Sequence, residues 1–70
     1  MRFEYKNEIE NAYKFWEIKV VNTKVITKYG RIGIKNPASN EKNFTNNDAA
    51  QIYLKNKINE KTKKGYVRSN

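Results

Sequence analysis

Five consecutive residues, Tyr29-Gly30-Arg31-Ile32-Gly33, place an aromatic ring, a guanidinium and two glycines at the end of a strand-like run. The ring can stack on a base, the guanidinium fork can grip a phosphate, and the glycines let the main chain come close to a ligand. Lys28 and Lys35 flank the motif and Lys42 follows on the next predicted strand, so the three would extend a positive rim. The candidate nucleic-acid-binding set is therefore Tyr29, Gly30, Arg31, Lys28, Lys35 and Lys42. Each member also has a purely structural alternative. Tyr29 can fill the rim of the core, Arg31 can pair with a glutamate, and Gly30 with Gly33 can supply positive φ or a bulge.

The composition narrows the choice of chemistry. The 70 residues contain no cysteine and no histidine. Disulfides and cysteine-bound zinc are excluded, as are histidine general bases and the triads built on them. Without a base to activate Ser or Thr, and without a convincing carboxylate pair or cage, the chain reads as non-enzymatic, with no metal and no cofactor. The N-terminus carries charges from Arg2 onward, unlike a signal peptide, and no apolar run approaches the ~20 residues of a membrane span. A cytoplasmic setting is expected. The net charge of +8 is uneven: residues 14–35 and 51–70 each carry +5, and the two remaining stretches are each −1. Two basic segments on so small a chain favour a polyanionic partner.

The hydrophobic pattern predicts the elements that must hold these groups. Arg2 to Lys6 alternates as a short strand, with Phe3 and Tyr5 on one face. Tyr13 to Val21 is the strongest strand signal, with Trp16, Ile18 and Val20 together on a core-like face. Asn22-Thr23 supplies a tight turn, and Lys24 to Tyr29 returns as the second arm of a hairpin. Residues 36–40 read as an exposed loop in which Pro37 forbids a central strand, and Glu41 to Phe44 could add a short strand. Thr45 with Asp48 resembles a capping box ahead of a helix whose stripe runs Ala50, Leu54, Ile58, flanked by Ala49, Ile52 and Tyr53. Gly65 after Lys63-Lys64 is a helix stop, beyond which Tyr66 and Val67 fold back onto the core. The expected architecture is α+β, a single domain over residues 1–70. It has an antiparallel sheet of three to four strands and one C-terminal helix packed on one face, around Phe3, Trp16, Ile18, Phe44, Leu54 and Ile58.

Three landmarks in register carry a family resemblance: Lys14-Phe15-Trp16-Glu17-Ile18, Tyr29-Gly30-Arg31-Ile32-Gly33, and Lys61-Thr62-Lys63-Lys64-Gly65-Tyr66. Over residues 2–67 the chain resembles the WGR domain. That domain occurs in DNA-dependent poly(ADP-ribose) polymerases, in bacterial proteins including molybdate-metabolism-regulator-like ones, and as short stand-alone chains. The resemblance implies a sheet-plus-helix DNA-binding module whose signature aromatic packs on an end nucleotide while basic residues hold the backbone. Here Tyr29 stands where the signature has Trp. A phenol stacks over less area than an indole, so end recognition would weaken while backbone binding survives. The arginine's contacts with other domains of the polymerases are not carried over to Arg31.

The sequence thus leads to a small non-enzymatic module that binds nucleic acid. DNA is the favoured partner, through its backbone, ends or nicks. Lys55, Lys57, Lys61, Lys63 and Lys64 would be a solvated helix face that adds long-range steering. The alternative is a protein-interaction module docking an acidic partner, for which an exposed edge strand would serve.

Overall fold

The computed structural model describes residues 1–69. The elements run β1 (Arg2–Asn7), β2 (Ala12–Val21), β3 (Lys24–Arg31), β4 (Ala38–Asn43), α1 (Asn47–Lys63) and β5 (Val67–Arg68). The sheet is antiparallel with five strands in the order β4-β3-β2-β1-β5.

Period-2 alternation sorts this sheet into two faces. Phe3 pairs with Trp16, Ile18 with Thr27, and Val20 with Val25 on the face that receives the helix. The two-residue turn Asn22-Thr23 fixes that register, with Asn22 in the left-handed region at φ 60°. The helix begins beside this turn. Asn46 caps it by accepting from the Ala49 amide at 2.8 Å, and the Asn47 amide side chain donates to the Asn22 carbonyl at 2.8 Å. The capping residue is therefore Asn46 and not Thr45, because it is the Asn46 side chain that accepts from the amide three residues on. From there α1 lays Ala50, Leu54 and Ile58 across the sheet and buries Phe3, Trp16, Ile18 and Val25 beneath them. Lys64 and Gly65 (φ 100°) end the helix, and Tyr66 returns to pack against the core.

The sheet exceeds the expected three to four strands because of β5. It is two residues long and is held by pairing with Phe3 and Glu4. Val67 lies in that strand and is exposed rather than folded into the core. β4 starts at Ala38, inside the stretch read as loop. As an edge strand it tolerates Pro37 just before it. Ile52 points to solvent, and Phe44, Leu54 and Ile58 are half-buried. The opposite face of the sheet buries Phe15, whose ring lies 4.4 Å beneath the Arg2 guanidinium and next to Gly30. A Cβ on Gly30 would come within 3.1 Å of Ile34 Cγ2, so the glycine lets Ile34 close over the strand. Among the described residues no helix is long and apolar enough to cross a membrane.

Candidate nucleic-acid interface

The helix starts at the turn end of the β2–β3 hairpin and covers only part of its face. The uncovered remainder is a cleft of ≈ 1020 Å³ between the C-terminal half of α1 and the far end of the hairpin. Its lining joins residues distant in sequence: Tyr5 from β1, Lys14 and Trp16 from β2, Tyr29 and Arg31 from β3, Asn40 from β4, then Tyr53, Lys57, Lys61 and Lys64 from α1, and Tyr66 beyond it.

Local structure fixes each wall. Tyr29 pairs across the sheet with Trp16 and Ala38, which places its ring on the helix-facing side, 46% exposed. Arg31 ends β3 opposite Lys14, and both are exposed. On the helix, positions 53, 57, 61 and 64 recur at spacings of four, four and three, which is one stripe. At the near end, the turn after β1 is held by Asn7, which donates to Glu10 Oε1 at 2.8 Å. The same oxygen accepts the Tyr5 hydroxyl at 2.8 Å. That fixes Tyr5 against Tyr66, ring centroids 5.5 Å apart. Burial, and secondarily the nearby Tyr5, raise the Tyr66 phenol above its usual value.

Lysine ammonium groups cap the aromatic rings of the cleft. Lys61 Nζ lies 5.7 Å from the Trp16 ring and 5.1 Å from the Tyr66 ring. Lys42 Nζ and Lys57 Nζ lie 4.9 Å and 5.5 Å from the Tyr53 ring. Such contacts contribute only about 0.5–1 kcal/mol at exposed sites, so they are readily exchanged. The Lys61 ammonium is held below the usual lysine range, first by burial and then by its neighbours Lys64, Lys57 and Lys14, with Glu60 opposing.

The two faces of the sheet treat charge differently. On the face away from the helix, Arg2 bridges Glu4 and Glu17 at 3.2 and 3.0 Å, Lys6 meets Glu4 at 3.4 Å and Lys24 meets Glu41 at 3.6 Å. The Arg2 hydrogen bond is the main cause holding the Glu4 carboxyl below its usual value. On the cleft side, Lys57 reaches Glu60 at 3.2 Å. Among the described residues, Lys14, Arg31, Lys42, Lys61 and Lys64 have no carboxylate within 4.0 Å.

The sequence-predicted residues separate on this geometry. Tyr29, Arg31 and Lys42 share the cleft side of the sheet. Lys28 does not: it stands opposite Glu17 and Ser39 on the other face, beside Ile26 and Lys19, because neighbours in a strand point apart. A side chain on Gly30 would point away from the cleft, toward Ile34 and Phe15, while the main chain of Gly30 lines the cleft. Lys35 is exposed in the connection between β3 and β4. Trp16 is core, as its alternation with Ile18 indicates, and forms the cleft floor. Sequence reasoning passed over Lys14, although it alternates with Trp16 and so had to share its face. It also passed over Tyr5 and Tyr66, which only the tertiary fold brings together.

A small α+β module with one cationic, aromatic-lined cleft is the class of protein that this fold and site define. The chain belongs to the WGR domain family, whose model matches residues 1–70. WGR domains are in general nucleic-acid-binding modules. Among solved structures the chain is similar to a protein from Bacteroides fragilis, with a TM-score of 0.91 and 36% identity. That match covers 99% of this chain and 19% of the Bacteroides fragilis chain, so the present chain spans about a fifth of its length. No curated protein matches the chain.

Proposed function

We propose that this chain is a non-enzymatic module that binds DNA, at its backbone and at exposed ends, through the cleft side of the sheet. The observation that carries this reading is the sorting of charge. The carboxylates of the sheet pair with Arg2, Lys6 and Lys24 on the face away from the helix and leave Lys19 and Lys28 there, while Lys14, Arg31, Lys42, Lys61 and Lys64 gather without carboxylate partners among the described residues around one aromatic-lined concavity. A polyanion supplies the missing charges and releases its own counterions on binding. Arg31 and Lys14 hold phosphates, and Tyr29 stacks on a base or sugar where the duplex ends. Lys35 extends the positive rim from its loop. Lys28, on the far face, adds only to the long-range field. The one carboxylate lining the cleft among the described residues, Glu10, already accepts from Tyr5 and Asn7, which fits a binding role and not acid–base chemistry. A cytoplasmic setting goes with this reading.

A second reading has its own observation. All six residues of the edge strand β4 are exposed, so its main chain is open to pairing with an extended segment of an acidic protein. One titration separates the two. Arg31→Ala should weaken binding to a short DNA duplex, while Lys19→Ala, on the opposite face, should leave it within twofold. Equal losses in both variants, or affinity that ignores salt, would remove the DNA reading.

A further inference from the structure

The cleft's aromatic rings and its unpaired lysines make different demands on a ligand. A duplex answers the lysines with phosphates but keeps its base faces stacked on one another. We propose that the cleft between α1 and the hairpin takes unpaired nucleotides, the single-stranded overhang of a nucleic-acid end, and not the body of a duplex. This rests on the nucleic-acid reading above and names the part of the ligand that enters the cleft.

Three observations carry it. The cleft is enclosed on two sides, by the helix and the hairpin. At ≈ 1020 Å³ it is as large as the largest small-ligand pockets, which run to roughly 1,000 Å³. It has room for more than one nucleotide. Second, the ring faces are covered by ammonium groups, Lys61 over Trp16 and Tyr66, and Lys42 with Lys57 over Tyr53. An unpaired nucleotide offers both halves of an exchange. Its base takes an ammonium's place on the more open rings, and its phosphate receives the displaced ammonium, so the burial that depresses Lys61 is compensated by a full negative charge. Third, among the described residues the lining carries five cations, Lys14, Arg31, Lys57, Lys61 and Lys64, of which Lys57 also meets Glu60, against the single lining carboxylate Glu10. That excess suits successive phosphates of a strand better than one free nucleotide.

The experiment uses a blunt DNA hairpin, the same hairpin with a six-nucleotide overhang, and AMP as competitor, read by anisotropy and by the fluorescence of Trp16, the chain's one tryptophan. The overhang should bind about tenfold more tightly than the blunt end, the increment expected of one or two stacked bases. Binding of the overhang should change Trp16 emission as Lys61 leaves the ring. Lys61→Gln should erase most of the overhang's advantage and the Trp16 response, while Lys19→Ala on the far face should leave both unchanged. Equal affinity for blunt and overhang hairpins overturns this inference and leaves the DNA reading standing. Displacement of the overhang by AMP at comparable concentration overturns it in favour of a free-nucleotide site. Failure of both hairpins to bind overturns the DNA reading itself, and this inference with it.

Discussion

Lys14 and Arg31 stand directly opposite each other across β2 and β3, two cations on the same face with no carboxylate of the described residues within 4.0 Å of either. Cross-strand like charges cost stability, roughly 0.2–1 kcal/mol. Arg31→Gln should therefore raise the urea midpoint slightly at low salt, with the gain fading as salt screens the pair, while nucleic-acid affinity falls. A variant less stable than the parent at every salt concentration would show that the pair is not repulsive, and that some unseen contact holds Arg31.

Salt should govern the affinity quantitatively. If a single strand engages the cleft's five cations, log K should fall with log salt at a slope of about −3.5. Lys64→Gln removes one of them and should make the slope shallower by about 0.7. A slope near zero in the parent would mean that no phosphates are neutralised.

Lys61 makes the protein respond to alkaline pH. Its folded value is lowered, chiefly by burial and then by Lys64, Lys57 and Lys14, below the usual lysine value of 10.5. Below the lowered value both folded and unfolded chains hold the proton. Between that value and 10.5 the unfolded chain holds more, so this group's contribution makes stability rise with pH across the window. The raised Tyr66 phenol acts the other way, with stability falling as pH climbs above 10.0, so the rise is best read below that point. Urea midpoints measured on that alkaline side should climb in the parent and less in Lys61→Gln. A bound phosphate favours the ammonium, so binding there should also take up protons, read as calorimetric heats that depend on buffer ionisation.

Gly65 closes the helix and supports the cleft's near end. At φ 100° it occupies backbone space that L residues rarely adopt, and a Cβ there would come within 3.1 Å of Tyr5 Cε1. Gly65→Ala should cost about 1–2 kcal/mol from the backbone alone. It should also push Tyr5 away from Tyr66, visible as shifted ring resonances. A silent substitution would mean that the turn relaxes freely.

Residue periodicity predicts the hairpin, the helix stripe and the helix stop. Trp16 with Ile18 and Val20 at spacing two, Ala50 with Leu54 and Ile58 at spacing four, and Gly65 after two lysines are local signals, and local physics decides them. Two kinds of information are not local. β5 is two residues whose pairing with Phe3 and Glu4 crosses nearly the whole chain, and no pattern of length two can announce it. The cleft is assembled from four strands, the helix and its exit. The motif around Tyr29 marks one wall, while Tyr5, Lys14, Tyr53 and Tyr66 join it only when the chain folds. Lys28 shows the cost of reading proximity as sequence adjacency. It is next to Tyr29 in the chain and on the opposite side of the sheet. Phe15 escaped notice because its burial depends on a lid, Arg2 and Ile34, recruited from β1 and from a loop.

Amide chemical shifts of the labelled protein during titration with the overhang hairpin test the central claim most directly. The account predicts shifts at Lys14, Tyr29, Arg31, Lys61 and Lys64 that grow with added DNA, with Lys19, Lys24 and Lys28 on the far face nearly still. Shifts centred on the far face, or none anywhere at saturating DNA, would contradict it.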